Sequence, residues 1–201
     1  MRTWPWNPET VNRVLALLLA ALLSTAAGAA EEPALKAGVF SPPHPAPEFK
    51  LAGSDGTPLT LARFHGKVVA LAFGFSHCAD VCPVTLATLA QARKQLGAQG
   101  RDLQVVYITV DPERDDAARM KTWLAAFDPS FVGGTGSAQA LDAVDKQYGI
   151  SVKKIASANG PLFGHSSSVY LIDRAGRLRA MMPYGHVAED YAHDVRLLMQ
   201  Q

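Results

Sequence analysis

Val68–Phe75 (VVALAFGF) is an unbroken apolar run of eight residues, and it constrains the fold more than any other segment. A strand that is apolar on both faces must be covered on both, the situation of a parallel sheet flanked by helices. Leu103–Val110 (LQVVYITV) repeats the pattern. Between the two, Leu86, Leu89, Ala90, Arg93 and Leu96 keep helical spacing through Val84–Leu96, which stops at Gly97. Downstream, Asp115 or Asp116 can cap a helix running through Phe127, with Trp123, Leu124 and Phe127 inward. Phe131–Val132 reads as a short strand, and Ala138–Tyr148 as a helix up to Gly149. Ser167–Asp173 and Leu178–Met182 read as a hairpin, Val187–Met199 as a closing helix, and Leu51–Leu61 as short strands around a turn. The expected class is α/β, a central mixed sheet with helices on both faces and a terminal antiparallel pair.

The N-terminus bears on compartment. Arg2 and Arg13 flank a polar start, Val14–Leu23 is an apolar core, and Ala27–Gly28–Ala29 supplies small residues. Together these read as a secretory signal over residues 1–30. The alternative is a retained membrane anchor: residues 14–30 give about 17 apolar or small positions, the lower limit for spanning a bilayer. Either reading places the rest outside the cytoplasm, in a periplasm-like compartment where thiols tend to oxidise. Without residues 1–30 the chain has 17 basic and 17 acidic residues. A neutral domain without a Lys/Arg cluster lacks the electrostatic footprint of nucleic-acid binding. Residues 31–47 hold five prolines and read as an extended tether, leaving residues 48–201 as one globular domain.

The chemistry concentrates in Cys78–Ala79–Asp80–Val81–Cys82–Pro83, which holds both cysteines of the chain. They follow the first long strand and open a helix, at the strand end where open α/β sheets place their sites. A structural disulfide closing so short a loop would add only about 2 kcal/mol, and a domain of this size does not need a staple. Two functional readings stand. The pair is a redox switch with thiolates stabilised by free helix N–H groups, or both thiolates bind a soft metal. Three intervening residues bring both sulfurs to one side of the first turn, which suits a chelate. Two thiolates with an imidazole suit copper.

Six histidines compete for the third position: His44, His65, His77, His165, His186 and His193. His44 lies in the proline-rich segment and His65 in a turn, both read as solvated. His77 abuts Cys78 too closely for an easy chelate. His186 and His193, with Asp190 between them, read as a solvated helix face, with a weak metal site as the alternative. His165 lies in Gly164–His165–Ser166–Ser167–Ser168, before the hairpin strand. Spacing does not choose among them. Met181–Met182 reads as core packing, since alternating strand faces separate the two side chains.

Three segments together closely resemble the Sco/SenC family: Gly74–Pro83, Val110–Asp115, and His165–Ser166 leading into Val169–Asp173. The resemblance covers about residues 45–200 in order. It implies a thioredoxin-like fold and a copper ion as cofactor, with Cys78, Cys82 and His165 as its ligands. It implies a copper metallochaperone that loads the dinuclear copper centre of cytochrome c oxidase during assembly. The copper-centre subunit is then the partner, with other copper chaperones and a thiol reductant as further ones. It also implies that the Asp111–Asp115 loop lies near the site and helps to dock partners, although helix capping by Asp115 and pairing of Arg114 with a carboxylate explain that segment as well. Ala79 stands where the family usually has proline, and Gly164 where an acidic residue often precedes the histidine.

Two function classes remain open at this level. One is a non-enzymatic metal carrier using Cys78, Cys82 and His165. The other is a thiol-disulfide oxidoreductase in which Cys78 and Cys82 cycle and keep a partner's cysteines reduced. The histidine separates them, since exchange needs two sulfurs and a stable copper site needs a third donor. A thiol peroxidase is disfavoured, because the motif offers Asp80 where a cation should lower the thiol's pKa.

Overall fold

The computed structural model describes residues 34–157 and 160–201. The leader read at residues 1–30 lies outside them. Among the described residues no helix is long and apolar enough to cross a membrane.

Among the described residues there are ten strands. β1 is Gly38–Pro45, β2 Leu51–Gly53, β3 Pro58–Leu59, β4 Val68–Gly74, β5 Leu103–Thr109, β6 Val132–Thr135, β7 Val152–Ile155, β8 Leu162–His165, β9 Val169–Ile172 and β10 Arg177–Met182. The helices are α1 Val81–Gln95, α2 Ala117–Ala125, α3 Ala138–Gln147 and α4 Ala188–Met199. Eight strands form one sheet in the order β1-β10-β9-β4-β5-β6-β2-β3, and β7 pairs only with β8. β4, β5 and β6 run parallel, and the strands on either side of them antiparallel.

The two apolar runs are the middle of that sheet. All seven residues of β4 and all seven of β5 are buried, as a sheet covered on both faces requires. Alternation along β4 divides the faces. Phe73 stacks with Tyr148, beyond the end of α3, and with Tyr170 at ring separations of 5.7 and 6.2 Å. On the opposite face Ala70, Ala72 and Gly74 present little bulk, and α1 settles there with Leu86, Leu89 and Ala92 buried. α1 also packs against α4, and α2 against β6. The chain leaves α1 through Gly97 at φ +57°, a left-handed conformation that favours glycine after a helix.

Three elements differ from the sequence reading. Residues 38–45, within the segment read as a tether, form a strand that pairs with β10 at the sheet edge. Prolines are tolerated there because an edge leaves one side of the ladder unpaired. The strand is tied in at its start: the Lys36 and Ala37 backbone N–H groups donate to the buried Asp194 carboxylate at 2.8 and 2.9 Å. The compact body therefore begins at Leu35, ahead of the expected residue 48. α1 begins at Val81, not Val84, so Cys82 lies in its first turn, where Pro83 costs no helical hydrogen bond. The β7–β8 hairpin was not anticipated at all.

One buried group is at odds with its surroundings. Asp145 on α3 is 8% exposed, and its Oδ1 has no hydrogen-bond partner among the described residues. Burial first, and then the charge of Asp142, push its carboxyl up to about 6. A carboxyl with a raised folded pKa favours folding while protonated and loses that contribution as pH climbs through the folded value. Asp145→Asn is therefore expected to be more stable than the parent by about 1–3 kcal/mol at pH 7 to 8. Urea unfolding at stepped pH should show the gap closing as pH falls from about 6 to about 4.

Candidate metal centre

The end of β4 delivers the chain into Phe75–Ser76–His77–Cys78, and α1 then turns Cys82 back under that loop. Cys82 is 2% exposed, while Cys78 is half-buried; both are free thiols. The Cys82 sulfur sits so close to the sheet that a Cβ on Gly74 would lie 2.8 Å from it and 1.8 Å from the Tyr107 hydroxyl oxygen. Only a residue without a side chain fits at Gly74.

The loop is held by a buried carboxylate. Asp115 accepts from the Ser76 backbone N–H at 2.9 Å, the Ser76 hydroxyl at 2.5 Å and the Thr109 hydroxyl at 2.7 Å. It thus latches the exit of β4 to the end of β5. Asp115 is not the helix cap. That role falls to Asp116, which accepts from the Arg119 backbone N–H at 2.7 Å. Arg114 does pair with a carboxylate, that of Asp111. Its guanidinium also donates to the Pro161 carbonyl at 2.5 Å, and Lys154 pairs with Glu113 at 3.0 Å. The Asp111–Asp115 loop therefore braces the β7–β8 hairpin.

That hairpin carries His165, the last residue of β8. Its ring packs edge-on to Phe75 at 6.1 Å, and Phe75 packs on Phe163 at 5.4 Å. His165 Nδ1 is 2.8 Å from the Ser166 carbonyl oxygen. A carbonyl only accepts, so Nδ1 carries the proton and Nε2 presents a lone pair. Nε2 lies 3.6 Å from the Cys82 sulfur. A narrow cavity of about 10 Å³ separates Cys82, His165, Tyr107, Ser167 and Ser168.

Burial pushes the Cys82 thiol up to about 12; the Tyr107 phenol and the Phe75 backbone pull the other way, and the adjacent Cys78 thiol adds to the rise. At neutral pH the metal-free Cys82 is a protonated thiol, a poor nucleophile. A metal ion would displace that proton, since thiolates are the ligating form. Cys82 and His165 are thus brought together across 83 positions of sequence. Cys78 neighbours Cys82, yet no three His, Cys, Asp or Glu side chains among the described residues close into a ready-made cage. Two donors are in place, and the third stands on the half-exposed loop between strand and helix. Two sulfurs and an imidazole nitrogen fit a soft or borderline ion.

The remaining candidates lie elsewhere. His44 and His65 are exposed. His77 Nδ1 lies 3.2 Å from the Ser76 hydroxyl, so it joins the loop latch. His186 pairs with Asp190 at 3.1 Å and His193 with Asp194 at 2.9 Å; these histidines serve separate carboxylates. Met182 is fully buried and Met181 packs beside the core. Sequence reasoning passed over Tyr107, although one phenol in an otherwise nonionisable buried strand needs a polar neighbour.

The profile of the SCO1/SenC family matches residues 41–200. The chain is 33% identical over 159 residues to the mitochondrial SCO2 homolog of Mus musculus, covering 74% of this chain and 60% of that protein. It is 33% identical over 150 residues to the mitochondrial SCO1 homolog 1 of Arabidopsis thaliana, covering 73% of this chain and 42% of that one. The chain thus spans 60% or less of the length of these two relatives. Among solved structures, copper-bound Arabidopsis thaliana ScoI superposes with a TM-score of 0.73 at 30% identity, over 78% of this chain and 98% of that one. Apo Sco1 of Thermus thermophilus gives 0.74 at 30% identity, over 84% and 99%. The fold is the thioredoxin-like fold of these proteins, and the chain belongs to the SCO1/SenC family.

Proposed function

We propose that this protein is a copper carrier for cytochrome c oxidase assembly, binding copper through Cys78, Cys82 and His165. The observation that carries the reading is the pairing of the Cys82 sulfur with the unprotonated face of His165 at 3.6 Å. Thiolate and imidazole are the donors copper prefers, and family members have been solved with copper bound. Binding releases the thiol protons. Delivery is a ligand exchange: thiolates of the acceptor, the oxidase subunit that houses the copper centre, replace Cys78 and Cys82 one at a time. Half-exposed Cys78 suits the outer position and buried Cys82 the inner one. Residues 14–30 favour placement outside the cytoplasm, cleaved or anchored.

The oxidoreductase reading draws on Cys78, whose half-buried sulfur is open to attack while Cys82 can resolve it. High protonation of Cys82 weighs against it.

Reduced residues 35–201 should take up one copper ion with intense thiolate charge-transfer absorption. His165→Ala should weaken that binding more than about a hundredfold, beyond what loss of an outer partner costs. Its two cysteines should still form a disulfide and be reduced again, because the exchanging bonds run between sulfurs. Unchanged affinity with collapsed exchange would make the oxidoreductase reading primary.

Oxidation of Cys78 and Cys82 to a disulfide removes two protons and two electrons and leaves no thiolate to bind metal. Copper titration of the fully oxidised protein should show at least a hundredfold weaker binding, restored by added dithiol. Equal affinity in both states would remove the cysteines from the ligand set.

A further inference from the structure

Tyr107 stands within β5 with 1% of its surface exposed, and its hydroxyl has no hydrogen-bond partner among the described residues. A buried hydroxyl normally finds a partner, and one left without a partner costs stability. Nothing about the fold demands it. The ring fills space beside Trp123 at 5.4 Å, and phenylalanine would fill the same space. The hydroxyl is also crowded: it and the Cys82 sulfur press on the same point of the β4 backbone, at Gly74. Both border the narrow cavity that His165 closes from the other side.

We propose that Tyr107 is a positioning residue for bound copper, its hydroxyl donating a hydrogen bond to the Cys82 sulfur once that sulfur is a metal-bound thiolate. This inference rests on the copper reading above. A neutral thiol is a weak acceptor, so the phenol has little to donate to in the metal-free protein. A metal-bound thiolate carries negative charge, and a hydrogen bond to a charged acceptor is about twice as strong as a neutral one. The orphaned donor is therefore satisfied only in the loaded state, which makes its contribution one of differential affinity. It also fixes one sulfur lone pair and leaves another to bind the ion. Hydrogen bonds around a ligating sulfur tune the electronics of a copper–thiolate bond.

Tyr107→Phe deletes one oxygen atom and keeps the ring on Trp123. The metal-free variant should melt at or above the parent temperature, since a buried unsatisfied group has been removed. Its copper affinity should fall about tenfold to a hundredfold, the range for loss of an outer partner. Its thiolate-to-Cu(II) charge-transfer band should move to longer wavelength, because the hydrogen bond lowers the energy of the sulfur donor orbital. A role in packing alone would lower the melting temperature and leave the band in place. A second arm uses the parent protein with 3-fluorotyrosine at its five tyrosine positions; the more acidic phenol should move the band to shorter wavelength. If the parent shows the thiolate band and both arms leave band and affinity unchanged, the assignment of Tyr107 is overturned while the copper reading stands. If the parent shows no thiolate band, the copper reading itself falls.

Discussion

The junction of β4, β5 and α1 at Gly74 is the contact on which the site depends. Three groups meet there: the backbone of Gly74, the phenol of Tyr107 and the sulfur of Cys82. The absent side chain lets α1 approach the sheet closely enough to bury a thiol in its first turn. That burial raises the thiol's pKa and keeps it protonated until a metal displaces the proton. A bulkier residue would push α1 outward and expose Cys82, changing its chemistry before any ligand was lost.

Around that junction the protein spends buried charge on geometry. Asp115 has no exposed surface and accepts three hydrogen bonds that tie the Ser76 loop to the end of β5. Asp111 and Arg114 do similar work one step further out, bracing Pro161 and with it the hairpin bearing His165. Hydrogen bonds to a buried carboxylate are stronger than neutral ones and leave little freedom of position. The cysteine loop and the histidine hairpin are therefore referenced to one short segment, residues 111–115, which is why side chains so distant in sequence arrive within 3.6 Å.

The two cysteines differ as a result. Cys82 is enclosed by the sheet, the helix and the imidazole, whereas Cys78 stands half-buried on the loop. Under the proposed carrier function, an inner donor held rigidly and an outer one that can move would suit release of the ion. Preorganising all three donors would strengthen binding and slow exchange. The Asp194 carboxylate at the far edge has a different task, fastening the first residues of the body to α4.

Much of this was legible in the chain. The runs at Val68–Phe75 and Leu103–Val110 dictated central strands of a sheet covered on both sides, because a strand apolar on both faces needs cover on both. The stripe through Leu86 and Leu89 dictated the helix covering it, and the cysteine spacing named the sulfur pair. Local sequence could not select His165 over five other histidines, since that choice depends on a hairpin whose strands pair only with each other. Nor could it reveal that proline-rich residues 38–45 close the sheet edge, where pairing is supplied by β10 and anchoring by Asp194, about 150 positions away. Asp115 read as one of two candidate helix caps; the approach of Ser76 and Thr109 makes it a latch, and the cap falls to Asp116. Periodicity records which faces are buried, and so it reaches the core. The partner of a single polar atom is set by contacts between distant segments, and only the tertiary structure decides it.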